Sequence, residues 1–311
     1  MTKNYIIYAL DRIYRSIFPS RQLKINDFYI QATTNHPLQY YKKNFNYYDN
    51  FLGCLCSLFR DGDVIIDIGA NIGDSAFHML SARPNLEVIC VEPSVDFFAI
   101  LDMNMKNLRE LGKQVKLVNA FISNKNSELF MVYNKERSSG HASSSSNFAP
   151  PPQEKTLTYT DLLEKVNVIS PRFVKIDTDG YDYKVLNSIA DFHINHSSKP
   201  CPPIFFEFIT YLEGEEMSNE ERKVRGGKYM DAVKNLMNHG WGYFVAFDNF
   251  GSPILAHTDP NLLKQLTDYC RISRINNNHI PYYFIDVLLY NESDVDLVSN
   301  AIYQLIDEVW P

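Results

Sequence analysis

Two groups of carboxylates and one glycine turn carry the chemistry available to this chain. The first group surrounds Asp67-Ile68-Gly69-Ala70-Asn71-Ile72-Gly73-Asp74-Ser75, which follows the β-branched run Val64-Ile65-Ile66. An acid closing an apolar strand, then a glycine turn, then a polar helix start is a ligand-receiving loop. Its glycines leave backbone N–H groups uncovered, and the helix N-terminus adds its positive end. The spacing is G-x-x-x-G, not the G-x-G-x-x-G that cradles a dinucleotide pyrophosphate. A ligand without phosphate suits it better, and S-adenosylmethionine is the common one. Glu92 follows Gly69 by 23 positions and ends the next apolar run, where it can accept hydrogen bonds from ribose hydroxyls. Pro93 then turns the chain away from the strand.

The second group is Asp177-Thr178-Asp179-Gly180-Tyr181-Asp182, which follows the strand-like Val174-Lys175-Ile176, together with Glu207 at the end of Ile204-Phe205-Phe206. Acids crowded at strand ends raise one another's pKa toward neutrality, which is what a general base needs. Three of them, Asp177, Asp179 and Asp182, could also hold Mg²⁺ or Mn²⁺ through oxygen ligands. The plainer roles are helix capping for Asp179 or Asp182, and pairing with Lys175 or a turn for Glu207. His141 has the better intrinsic pKa for proton transfer, but it sits in a serine-rich stretch where a surface position is the plainer reading.

The elements that must position these residues alternate along the chain. Strands are expected at 64–68, 86–91, 115–122, 173–176 and 204–208, with helices at 74–80 and 94–108, the latter capped by Ser94. A strand at 128–133 is expected to pair antiparallel with one near 156–159. Between them, 134–155 is rich in serine and proline and reads as a flexible loop or lid. A helix at 229–239, strands at 243–247 and 284–289, and a helix at 294–308 complete the pattern. Asp182 starts a helix continuing through Val185, Leu186 and Ile189. The fold class is therefore α/β: a Rossmann-like, doubly wound sheet of seven mostly parallel strands with a late antiparallel hairpin. Residues 1–50 are expected to form a helical N-terminal extension with a short strand at 25–30, and 51–311 the main domain.

Composition narrows the partners. The chain has 311 residues, 45% of them apolar, enough for a sizeable core, and a formal charge of −7 that disfavours a nucleic-acid backbone. Five cysteines without C-x-x-C spacing suit a reduced, cytoplasmic setting. Residues 1–18 are apolar but interrupted by Asp11, Arg12 and Arg15, so they neither span a bilayer nor form a signal peptide. Ile6, Ile7, Leu10, Ile13 and Ile17 fit an amphipathic helix packed on the protein rather than one lying on a membrane.

Taken together, Asp67 to Gly73, Glu92-Pro93, Lys175-Ile176-Asp177-Thr178-Asp179-Gly180, the strand ending in Glu207, and Ile285 to Asp294 resemble the FkbM family of methyltransferases. The resemblance runs from about Tyr47 to the C-terminus. It departs at Asp179-Gly180 and Asp182, where the family usually carries Glu-Gly and, two residues on, Glu. Each carboxylate is drawn back by about one methylene. The resemblance implies the class I methyltransferase fold, S-adenosylmethionine as cofactor with no obligatory metal, and O-methylation of a sugar, glycan or other hydroxylated small molecule. It places Gly69, Ala70, Asn71 and Gly73 at the methionine part, with Asp67, Asp74 and Ser75 beside them. Glu92 and Pro93 are placed at the ribose, and Asn119 and Ala120 at the adenine. Asp177 would lie beside the methionine or the acceptor, and Asp177, Asp179, Asp182, Glu207 and His141 are the candidate bases. Two other classes stay open: a silent module retaining the cofactor fold in a glycan-assembly complex, and a nicotinamide-dependent oxidoreductase, against which the missing first glycine counts.

Overall fold

The computed structural model describes residues 21–26, 28–32, 36, 38, 49–124, 130–134, 139–143, 156–209, 218–248, 251–275 and 284–309. The expected amphipathic helix within 1–18 lies outside them. The first elements are a hairpin, β1 (Arg21–Ile25) and β2 (Phe28–Ala32), followed by α1 (Asn50–Ser57), β3 (Val64–Ile68), α2 (Asp74–Ala82), β4 (Glu87–Val91), α3 (Val95–Glu110) and β5 (Gln114–Val118). Short strands β6 (Phe121–Ile122), β7 (Phe130–Asn134), β8 (Ser139–Ser143) and β9 (Thr156–Leu157) lead to α4 (Tyr159–Val166) and β10 (Phe173–Ile176). The chain continues through α5 (Asp182–Asn195), β11 (Ile204–Phe208), α6 (Asn219–Asn238), β12 (Tyr243–Asp248), β13 (Pro253–His257), α7 (Pro260–Ile275), β14 (Ile285–Tyr290) and α8 (Val295–Val309).

The main sheet has the order β13-β12-β14-β11-β10-β3-β4-β5. β11, β10, β3, β4 and β5 pair parallel, while β14 runs antiparallel between β11 and β12. The central parallel strands are covered on both faces, which is why they read as nearly unbroken apolar runs. Alternation divides their residues. Ile66, Ile89, Val174 and Phe206 pack with α4 to α7, whereas Ile65, Val88 and Phe173 pack with α1, α2, α3, α8 and the hairpin. Because β4 and β10 flank β3 and the chain winds outward from it both ways, the strand order reverses at the carboxyl end of β3, where open α/β sheets bind ligands. Among the described residues no helix is long and apolar enough to cross a membrane.

Five expectations change. Within residues 1–50, read as a helical extension with one short strand, Arg21–Ile25 and Phe28–Ala32 form the antiparallel hairpin β1–β2. The main sheet has eight strands rather than seven, since Pro253–His257 adds an antiparallel edge next to β12. The antiparallel partner of β7 is β8, and β9 instead pairs parallel with β6. The stretch near 156–159 is not a full strand because Thr158 starts a helix: its hydroxyl accepts from Asp161 N at 3.1 Å and the Asp161 carboxylate accepts from Thr158 N at 2.8 Å. Within 134–155, read as loop, residues 139–143 form β8, with His141 opposite Val132. Ser94 caps α3 as expected, accepting from Phe97 N at 3.3 Å.

Candidate active site

The loop after β3 is shaped by its backbone. Gly69, Asn71 and Gly73 all take left-handed φ values, of 83°, 48° and 93°. The Gly69 and Ala70 N–H groups donate to Val91 O at 2.8 and 3.0 Å, which fastens the loop to the end of β4. At Gly69 a Cβ would land on the carbonyl oxygen of Asp177, and at Gly73 it would meet Met105 and Leu101 of α3. The two glycines therefore serve different packings, one against β10 and one against a helix. Glu92 braces the same loop. Its two carboxylate oxygens accept from Asn71 N at 2.9 Å and Ser94 N at 2.8 Å, and an ionised carboxylate retains further lone pairs for a ligand.

A cleft of about 640 Å³, open to solvent, lies over this point. It is lined by Gly69, Asn71, Glu92 and Pro93, by the apolar Phe97, Ala120, Phe121 and Ile122, and by Asp177, Thr178, Asp179 and Tyr181. Asn71, whose side chain lies in hydrogen-bonding reach of the His36 imidazole, and the bare backbone at Gly69 both reach the cleft surface. These features suit a ligand that meets main chain and one amide at one end and apolar side chains at the other.

Alternation along the strands, with the registers Asp67↔Lys175, Lys175↔Phe205 and Glu207↔Asp286, sets Asp67, Lys175, Glu207 and Asp286 on one face of the sheet. Asp177 continues that face beyond β10, its N–H donating to Ile68 O at 2.8 Å. The Lys175 ammonium is 3.0 Å from Asp177 Oδ2 and 3.5 Å from Asp67 Oδ1, with the lysine side chain 6% exposed. Burial alone would depress this lysine, but the carboxylates of Asp177, Asp67 and Asp49 hold its pKa well above the usual range. Burial raises Asp67 to about 6, against the pull of Lys175. Asp179, Glu207 and Asp286 are pushed well above the carboxylate range, by burial first and then by the charge of Asp177. One oxygen of each of Asp177, Asp179 and Glu207 lies within 4.8 Å of the others.

Several expected residues have other duties. Asp182 is fully buried and accepts from Thr178 Oγ1 at 2.9 Å and Tyr229 OH at 3.1 Å, tying α5 to α6, and burial raises it to about 6. The group of acids with converging oxygens therefore contains Glu207 where the sequence suggested Asp182. Asn119 is exposed and donates to the carbonyls of Glu92 and Pro93 at 2.8 and 3.0 Å, while its neighbour Ala120 lines the cleft. Asp67, Ala70, Gly73, Asp74 and Ser75 are not among the residues that line the cleft. The side chain of His141 lies outside the described residues. Sequence reasoning offered Lys175 only as a partner for Glu207, not for Asp67 and Asp177, and missed Asp286 and the wall of Phe97 and Phe121. A lysine inside a β-branched strand, two positions before an acid and on its face, was the available signal for the pairing with Asp177.

A family model described as "Methyltransferase FkbM domain" matches residues 67–240. Among solved structures, the chain is similar to a putative caffeoyl-CoA O-methyltransferase from Staphylococcus aureus, 12% identical with a TM-score of 0.39, covering 93% of this chain and 99% of that one. It is also similar to an O-methyltransferase from Bacillus cereus in complex with SAH, 14% identical with a TM-score of 0.40, covering 91% of this chain and 97% of that one. No curated protein matches the chain. The family model spans more than half of the chain, including the Asp67 to Gly73 loop, Glu92, and the Asp177 to Asp182 and Glu207 strand ends. The chain belongs to the FkbM family of S-adenosylmethionine-dependent methyltransferases.

Proposed function

We propose that this methyltransferase O-methylates a hydroxyl of a sugar, a glycan or another hydroxylated natural product. The observation that carries the reading is the convergence of Asp177, Asp179 and Glu207 beside the cleft, since a hydroxyl acceptor must lose a proton as it attacks. Bound S-adenosylmethionine supplies a methyl group on a positively charged sulfur, so no metal is needed to activate the leaving group. In this reading Gly69 and Asn71 meet the methionine part, with Asp67, Ala70, Gly73, Asp74 and Ser75 beside them. Glu92 and Pro93 face the ribose, and Ala120 and its apolar neighbours face the adenine, with Asn119 fixing the turn between them. Asp177, held at one oxygen by Lys175, presents its other oxygen as the proton acceptor. Asp179 and Glu207, driven toward their protonated forms, can donate hydrogen bonds to other oxygens of the acceptor. Mg²⁺ or Mn²⁺ on Asp177, Asp179 and Glu207 would orient the acceptor without being obligatory.

Incubation with methyl-labelled S-adenosylmethionine and a panel of glycosides and polyhydroxylated small molecules tests the reading. Label in an alkali-stable ether is expected. Label on nitrogen, or in a base-labile carboxyl ester, would contradict it.

A further inference from the structure

The hairpin β1–β2 lies outside the segment that the family model covers, yet one buried side chain connects it to the cofactor loop. Asn104 of α3 is 0% exposed. Its Oδ1 accepts from Gln31 N at 2.7 Å, and its Nδ2 donates to Gln31 O at 2.9 Å and to Ile72 O at 2.8 Å. Every polar atom of the carboxamide is thus spent on main chain, two bonds on β2 and one on the loop. The neighbouring turn of α3 fills the space beside Gly73 with Leu101 and Met105. The hairpin is anchored elsewhere too, with Phe28 packed on Phe77 of α2 at 5.3 Å between ring centroids.

We propose that Asn104 is a positioning residue for the cofactor, and that it makes the N-terminal hairpin a working part of the cofactor site. Three of the five residues in loop 69–73 sit at left-handed φ, so this backbone does not hold its shape by local preference. The N–H groups of Gly69, Ala70, Asn71 and Gly73 find partners at Val91 O, Ala70 O and the Glu92 carboxylate. The Ile72 carbonyl is fixed by Asn104 from behind, in a place that water does not reach. Removing the amide strands that carbonyl and frees the loop to leave the ligand-ready shape, and affinity falls with the ready fraction. The same amide grips β2 at both polar groups of Gln31, so hairpin and loop move together. The inference rests on the reading that the cofactor lies on loop 69–73.

Asn104→Leu, which keeps the branching and the number of side-chain heavy atoms and loses all three bonds, should weaken S-adenosylhomocysteine binding by about tenfold or more in calorimetry run well below the melting temperature. Hydrogen exchange across residues 69–75 should speed up in parallel. Asn104→Asp keeps the bond from Gln31 N but cannot donate to Ile72 O, and should show the same loss should the leucine variant not fold. Trp241→Phe is the control, because it removes a buried bond to Pro202 O at the opposite, amino edge of the sheet and should lower stability without altering affinity. Wild-type binding with an unchanged affinity in both Asn104 variants would overturn the inference. So would an equal loss of affinity in the Trp241 control. Failure of the wild type itself to bind S-adenosylhomocysteine would instead overturn the cofactor placement.

Discussion

Gly69→Ala should reduce S-adenosylhomocysteine binding by roughly 100-fold or beyond detection, because the substitution misplaces the loop by more than a hydrogen bond tolerates. The added methyl points at the Asp177 carbonyl across the β3–β10 pair, so those strand ends must separate or the loop must turn over. Either movement disturbs the backbone under the ligand and the carboxylate opposite it at once. Left-handed strain contributes too, at about 1–2 kcal/mol for a non-glycine residue. Gly62→Ala isolates that part of the effect. Gly62 has nearly the same φ, 84°, but open space where its Cβ would go. It should lower the melting temperature modestly and leave the affinity unchanged. Equal loss of binding in both variants would mean that backbone strain, not contact with Asp177, explains the requirement for glycine.

Lys175→Met should lower the unfolding free energy by about 3–5 kcal/mol near neutral pH, the range seen when one partner of a buried ion pair is removed. The fully buried Asp67 would lose its cation, and Asp177 the group that fixes one of its oxygens. Acidification should shrink the loss. Asp67 titrates near 6 when folded and near 3.8 when unfolded, so between those values the folded state binds more protons. Its contribution to stability is therefore present below the unfolded value and lost as pH rises through the folded one. Asp182, raised to about 6 by burial, acts with the same sign. Denaturant titrations at about pH 5 and about pH 7.5 should show the variant closer to wild type at the lower pH. Asp67→Asn combined with Lys175→Met should recover part of the loss at neutral pH. A deficit that grows on acidification would contradict the ion-pair account.

How far the sequence discloses this site follows from how local each interaction is. The loop 69–73 and Glu92 sit within one strand–helix–strand unit, and their chemistry is written in the spacing of glycines and acids. The acids at the ends of β10 and β11 were equally legible, because a lone carboxylate closing an apolar strand has few other places to go. Lys175 was readable as buried but not as the partner of Asp67 and Asp177: that pairing exists only because β10 lies beside β3. Glu207, a plausible partner for Lys175 by sequence, is instead set opposite Asp286 by the antiparallel insertion of β14. Asp182 illustrates the reverse failure. It looks like one more acid of the cluster, yet Thr178 and a tyrosine of α6 both donate to its Oδ2. Thr158 misled the strand assignment because its capping box outweighs the β-propensity of its neighbours.

A crystal structure with S-adenosylhomocysteine bound tests the central claim most directly. The ribose hydroxyls should lie within hydrogen-bonding distance of the Glu92 carboxylate, the adenine against Ala120 and Phe121, and the sulfur should face Asp177 and Asp179 across the cleft. A ligand seated away from Glu92, or with its sulfur turned from the carboxylates, would contradict it.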